Sequence, residues 1–312
     1  PEKPLIVGGY SNGAALSLNY TLDAINDASL PVPDRLVLLS PAVVITPLAQ
    51  VTSWHQLLSW MPYFEKFKWL DILPEYDPYK YNSFPKNAAF QNFTLTRKVQ
   101  EKLDQLQSSG DMSLFPPVIA FQSIVDATVK TSALFDDLYE RFEPGNSELV
   151  LFDINRSHEL SAFIKESPDL LQSKFDDTAV LAYQLTGVSN ITPHSKYMLA
   201  RSRDAGGTIT STCELDLEWP REVFSLSHTA IPFRPDDPIY GNAPDSKAAL
   251  SNISPRGERG VLRVSLSLFA RLRHNPFFSY LDWRLRRFIN QGRNVMPLCP
   301  INEGSDDLPA SL

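Results

Sequence analysis

The chain has 312 residues, 43% of them hydrophobic and 21% charged, with a formal net charge of -7. That length can bury a substantial core, and a single domain over residues 1–312 carrying insertions is the expectation. The acidic balance supplies no field to attract phosphates, which argues against nucleic acid as a partner. Cys213 and Cys299 match no metal or redox spacing and read as two free thiols or one disulfide, and no histidine–carboxylate set has metal-ligand spacing, so neither a metal nor another cofactor is expected.

Leu5, Ile6 and Val7 read as a buried strand, while Ala14, Ala15, Leu16, Leu18 and Tyr20 continue as a helix. Between them, Gly9-Tyr10-Ser11-Asn12-Gly13 is a G-x-S-x-G pattern. A serine between a strand and a helix sits on a sharp, strained turn, and both glycines are expected because a side chain at either would collide with the neighbouring elements. The plainer alternative is an ordinary Gly-rich connection. Arg35 to Ser40 reads as the next strand, closed by Pro41.

From Ala42 to about Leu114 the strand–helix alternation is lost. The segment holds Trp54, Trp60, Met61, Phe64, Phe67 and Trp69, then a helical run of Leu95, Val99, Leu103 and Leu106 at spacings of three and four. Pro116 and Pro117 end it, Val118 to Gln122 returns as an apolar strand, and Asp126 follows, with a helix-like stretch through Leu134, Leu138 and Phe142. A carboxylate just beyond a parallel strand lies at the sheet edge where open α/β sheets build their sites, although an Asp there can also be a simple turn or cap.

Glu148 to Phe152 reads as another strand. Residues 153–221 look like a second insertion, with a polar helix near Ser161 to Phe175, a strand over Val180 to Val188 and a loop around Gly206-Gly207. Val223 to Leu226 is strand-like and opens into His228, where an imidazole could reach back to Ser11; His158 is the competitor, and His55 and His194 read as surface residues. The cluster Arg271, Arg273, Arg284, Arg286, Arg287 and Arg293 reads as the solvated faces of amphipathic helices, with a membrane-surface or partner patch as the alternative.

The elbow at Ser11, the strand-and-loop segment ending at Asp126 and the segment ending at His228 occur in the order Ser, Asp, His. On these residues the chain resembles the α/β-hydrolase superfamily, more closely its capped lipase, esterase and serine-aminopeptidase-like members. The resemblance implies a mostly parallel sheet with helices on both faces and a helical cap over residues 41–115. It covers the second half of that fold. Members place several strands ahead of the nucleophile, so the chain is expected to lack its N-terminal strands and the loop that supplies a second oxyanion donor.

The implied chemistry is ester hydrolysis through an acyl-enzyme: Ser11 as nucleophile, His228 as base, Asp126 orienting the imidazole, and the backbone N–H of Asn12 as oxyanion donor. Tyr10, Trp54, Trp60 and Met61 are the candidate lining of an apolar acyl pocket. The substrate would be a small-molecule ester or a lipid, with membrane association left open. A serine peptidase and a non-catalytic binding or scaffold member are the alternatives.

Overall fold

The computed structural model describes residues 3–44, 68–75, 77, 81–156, 170–242, 270–290 and 298. Its main sheet has seven strands in the order β1-β2-β5-β6-β7-β8-β9: β1 (Ile6–Tyr10), β2 (Arg35–Leu39), β5 (Val118–Ser123), β6 (Glu148–Phe152), β7 (Gln184–Asn190), β8 (Tyr197–Arg203) and β9 (Thr210–Glu218). The first five are parallel, and β8 and β9 continue the sheet antiparallel. A small hairpin, β3 (Trp69–Asp71) with β4 (Phe84–Pro85), stands apart. The helices are α1 (Asn12–Asn26), α2 (Lys86–Ser109), α3 (Ser132–Asp137), α4 (Leu170–Asp176) and α5 (Phe278–Asn290). Among the described residues, one α-helix lies between each successive pair of parallel strands, an arrangement consistent with the α/β-hydrolase fold.

The sequence dictates this arrangement through its apolar runs. β5 and β6 are buried at every position because helices cover both faces, which is why they read as continuous rather than alternating hydrophobic stretches. Alternate residues enter two separate cores. Leu36, Leu38, Val118, Ala120, Leu149 and Leu151 pack with Leu18 and Leu22 of α1, Val99 and Leu103 of α2, and Phe175 of α4. Val37, Ile119, Phe121, Val150 and Phe152 face the opposite side, with Tyr280, Leu281 and Phe288 of α5.

Four expectations are corrected. The helical run from Leu95 to Leu106 belongs to α2, which lies against α1 in the sheet-covering layer rather than in a cap; Lys102 Nζ ties it there, at 2.8 Å from Asn19 Oδ1 and 2.5 Å from Asp23 Oδ1. The described part of residues 153–221 adds three strands to the main sheet, where one, over Val180 to Val188, was expected. Val223 to Leu226 is a loop, because β7 already occupies the place beside β6, and the segment crosses the sheet end, its backbone carbonyls at Val223 and Phe224 accepting from Asn155. The arginine cluster is not uniformly solvated: Arg284 is fully buried and ion-paired with Glu148 of β6, whose Oε1 also accepts Thr186 Oγ1 at 2.7 Å, and Arg273 is buried beside Asp77. A charge at a core-facing position of α5 needs a counter-charge, and the strand beneath supplies one in Glu148.

Cys213 of β9 is disulfide-bonded, and Cys299 is the other cysteine of the chain. Among the described residues, no helix is long and apolar enough to cross a membrane.

Candidate active site

Parallel strands deliver their carboxyl ends to one edge, and the candidate residues gather there. Ser11 falls between the last residue of β1 and the first of α1, with φ 54° and ψ -116°. Left-handed backbone at a residue with a side chain costs about 1–3 kcal/mol and persists only where the surroundings hold it. Here Ser11 N donates to Leu39 O at 2.9 Å, and Ser11 O accepts from Ala14 N at 3.1 Å and from Ala42 N at 3.2 Å. Strand end, helix start and the following strand all grip the same residue.

The two glycines of the pattern are not equivalent, which corrects the expectation from sequence. A Cβ at Gly9 would lie 2.2 Å from Gly13 C and O and 2.4 Å from Ala14 N, all backbone atoms. A Cβ at Gly13 would meet nothing within 4 Å among the described residues. Gly9 is what lets the first turn of α1 close over β1; Gly13 has no such duty.

His228 Nε2 lies 2.9 Å from Ser11 Oγ, and its Nδ1 lies 2.7 Å from Asp126 Oδ2. The imidazole is 5% exposed and the Asp126 side chain 0%. With Asp126 accepting at Nδ1, Nδ1 carries the proton and Nε2 presents its lone pair to the Ser11 hydroxyl. Asp126 Oδ1 accepts the backbone N–H groups of Thr128 at 2.7 Å and Val129 at 3.1 Å, and Gln122 Nε2 donates to Oδ2 at 2.9 Å. The Asp126 turn is therefore both an Asx turn and the acid end of a hydrogen-bonded line of three side chains.

The loop bearing His228 is fixed from several sides. Ser40 Oγ donates to His228 O at 3.4 Å, Ser227 Oγ donates to Leu272 O, and the Tyr10 ring sits 5.2 Å from the imidazole, centroid to centroid. Ser40, at the end of β2, also has positive φ, 44°; it and Ser11 are the non-glycine residues in this region of backbone space among those described. Burial pushes the Tyr10 phenol up to about 12, with Arg271 opposing and Asp126 reinforcing the shift. Sequence reasoning had no signal for Ser40 or Gln122, whose contributions depend on strand register.

Asn12 opens α1, so its backbone N–H belongs to the first turn, where donors lack intrahelical acceptors and the helix dipole is positive. Trp54, Trp60 and Met61, the other candidate pocket residues, lie outside the described residues, as do His55 and His158. His194 is exposed. Among the described residues, no group of three or more His, Cys, Asp or Glu could hold a metal ion.

No family model matches the chain, and no curated protein matches it. Among solved structures the chain is similar to Est1E from Butyrivibrio proteoclasticus, with 20% identity, 47% of this chain and 49% of that chain covered, and a TM-score of 0.25. The chain thus spans about half the length of Est1E, and at this TM-score nothing is transferred from it.

Proposed function

We propose that the protein is a serine hydrolase that cleaves carboxylic esters through an acyl-enzyme. The observation that carries this reading is the unbroken line from Ser11 Oγ through the two ring nitrogens of His228 to Asp126 Oδ2, at 2.9 and 2.7 Å. A free serine is a weak nucleophile, and a neutral imidazole at hydrogen-bond distance is what activates it.

In the first half-reaction Ser11 Oγ bonds to the carbonyl carbon while its proton passes to His228 Nε2. The tetrahedral adduct collapses, the ester C–O bond breaks, and the imidazolium returns the proton to the departing alcohol. Water then attacks the acyl-serine with His228 again as base, releasing the acid and restoring Ser11. Asp126 holds the Nδ1–H tautomer and stabilises the imidazolium in both halves, and the Asn12 N–H would donate to the oxyanion. The Tyr10 ring, packed on the imidazole, would form one wall of the pocket, and a lid with Trp54, Trp60 and Met61 would form an apolar roof.

The test is labelling with a fluorophosphonate, which should attach to Ser11 and be lost in Ser11→Ala. Turnover of short-chain and long-chain acyl esters beside aminoacyl amides then decides the bond cleaved. Preferential amide turnover would move the reading to a peptidase. Absence of labelling on a folded protein would refute hydrolysis and favour a binding role for the fold.

A further inference from the structure

We propose that Gln122 is a positioning residue that holds the Asp126 carboxylate in line with His228, a role that rests on the reading of Ser11, His228 and Asp126 as a proton relay. Gln122 occupies a place in β5 where an apolar side chain is expected. It follows Val118 and Ala120 on the face that packs beneath α1 and α2, and it is 0% exposed. A primary amide there loses its hydration and must recover it in hydrogen bonds.

It recovers only part. Nε2 donates to Asp126 Oδ2 at 2.9 Å, whereas Oε1 is buried with no hydrogen-bond partner among the described residues. Reversing the amide would set its oxygen against a carboxylate oxygen, so the chemistry of the pair fixes the NH2 toward Asp126. The fold thus keeps a buried, half-satisfied amide in a strand whose neighbours Ile119, Ala120 and Phe121 are wholly apolar. An apolar residue of equal length would remove the orphaned carbonyl, so the amide is a local cost to stability whose return lies at Asp126.

What it supplies there is specific. The backbone amides of Thr128 and Val129 secure Oδ1, leaving Oδ2, the oxygen that meets the imidazole, to the Gln122 amide. Holding both oxygens fixes the plane of the carboxylate, so that Oδ2 stays on the axis of the His228 Nδ1–H while positive charge builds on the ring. Without the amide, Oδ2 is held only by the imidazole it is meant to orient.

The test replaces Gln122 with methionine, which keeps length and bulk and removes the donor, with Gln122→Leu as a second apolar shape. We expect kcat for a p-nitrophenyl ester to fall about ten- to a hundredfold, the range for losing one hydrogen bond to a charged group, with KM unchanged. The melting temperature should hold or rise, and the downfield proton resonance of the imidazole Nδ1–H should broaden or move upfield. Unchanged kcat and an unchanged resonance in both variants would overturn the proposal, as would a loss of activity matched by a loss of folded protein. The resonance needs no turnover. A wild type that neither labels nor turns over esters would refute the hydrolase reading, while the response of that resonance to Gln122→Met would still decide the role of Gln122.

Discussion

Replacing each glycine of the G-x-S-x-G pattern by alanine separates geometry from motif. At Gly9 the new methyl would stand 2.2 Å from the carbonyl carbon and oxygen of Gly13, where an ordinary contact needs roughly 3.4 Å or more. The overlap of about 1 Å is with backbone in the first turn of α1, so no rotamer change relieves it. The helix must lift from β1, which strains the Ala14 N to Ser11 O hydrogen bond and displaces the Asn12 N–H. A rigid overlap of this kind costs about 3–5 kcal/mol, or about 6–10 °C in melting temperature at about 2 °C per kcal/mol for a chain of this size. At Gly13 the methyl meets nothing among the described residues and sits within a helix at ordinary φ, and alanine there should stabilise by about 0.5 kcal/mol through the unfolded chain's lower entropy. The assay is urea unfolding of both variants beside the rate of phosphonate labelling. If Gly13→Ala costs as much as Gly9→Ala, or if Gly9→Ala keeps wild-type stability and labelling, the steric argument fails.

Asp126→Asn should preserve the fold and lower kcat by about 10^3- to 10^4-fold by favouring the wrong imidazole tautomer, read from ester kinetics beside a circular dichroism spectrum. Glu148→Gln should cost about 3–5 kcal/mol because it removes the carboxylate ion-paired with the buried Arg284, and the double change with Arg284→Leu should regain much of it; denaturant midpoints of the two variants make the comparison. Burial raises the Tyr10 phenol to about 12 from 10.0, so between pH 10 and 12 the native state holds a proton that the unfolded chain has lost. Stability is fully present below pH 10 and falls as pH rises through that window, and Tyr10→Phe should flatten part of the decline in urea midpoints taken from pH 9 to 12.

The strands β2, β5 and β6 were legible in the sequence because an apolar run buried on both faces leaves no alternation to misread, whereas β1, read as buried, is only partly so, with Gly8 exposed. β8 and β9 were not legible. Their polar, one-sided faces, as in Thr210–Glu218, resemble loops until a sheet edge is there to receive them. Val223 to Leu226 misled in the opposite direction: Val223 and Leu226 are buried, yet the segment packs over a sheet end as a loop. Arg284 misled and Gln122 gave no signal for a shared reason, since a polar side chain in a core position is explained by the partner the fold brings to it, Glu148 for one and Asp126 for the other. The turn at Ser11 was readable because its glycine and serine pattern is local, although the hydrogen bonds that hold it also come from Leu39 and Ala42.

The distances along the chain within the proposed relay carry a consequence for how the protein acquires reactivity. Ser11 and His228 are 217 positions apart, and Asp126 and His228 102 apart. Closing loops of that size precedes any reward from the contact, so the imidazole is expected to dock after the β1-α1-β2 unit and the β5-β6 pair have formed. The strained turn at Ser11 is assembled within the β1-α1-β2 unit and the residues just after it, whereas the imidazole proposed as its base comes from 217 positions further along the chain. A newly collapsed chain would therefore carry a shaped but unreactive serine, and reactivity toward a phosphonate would report the last act of folding rather than the first.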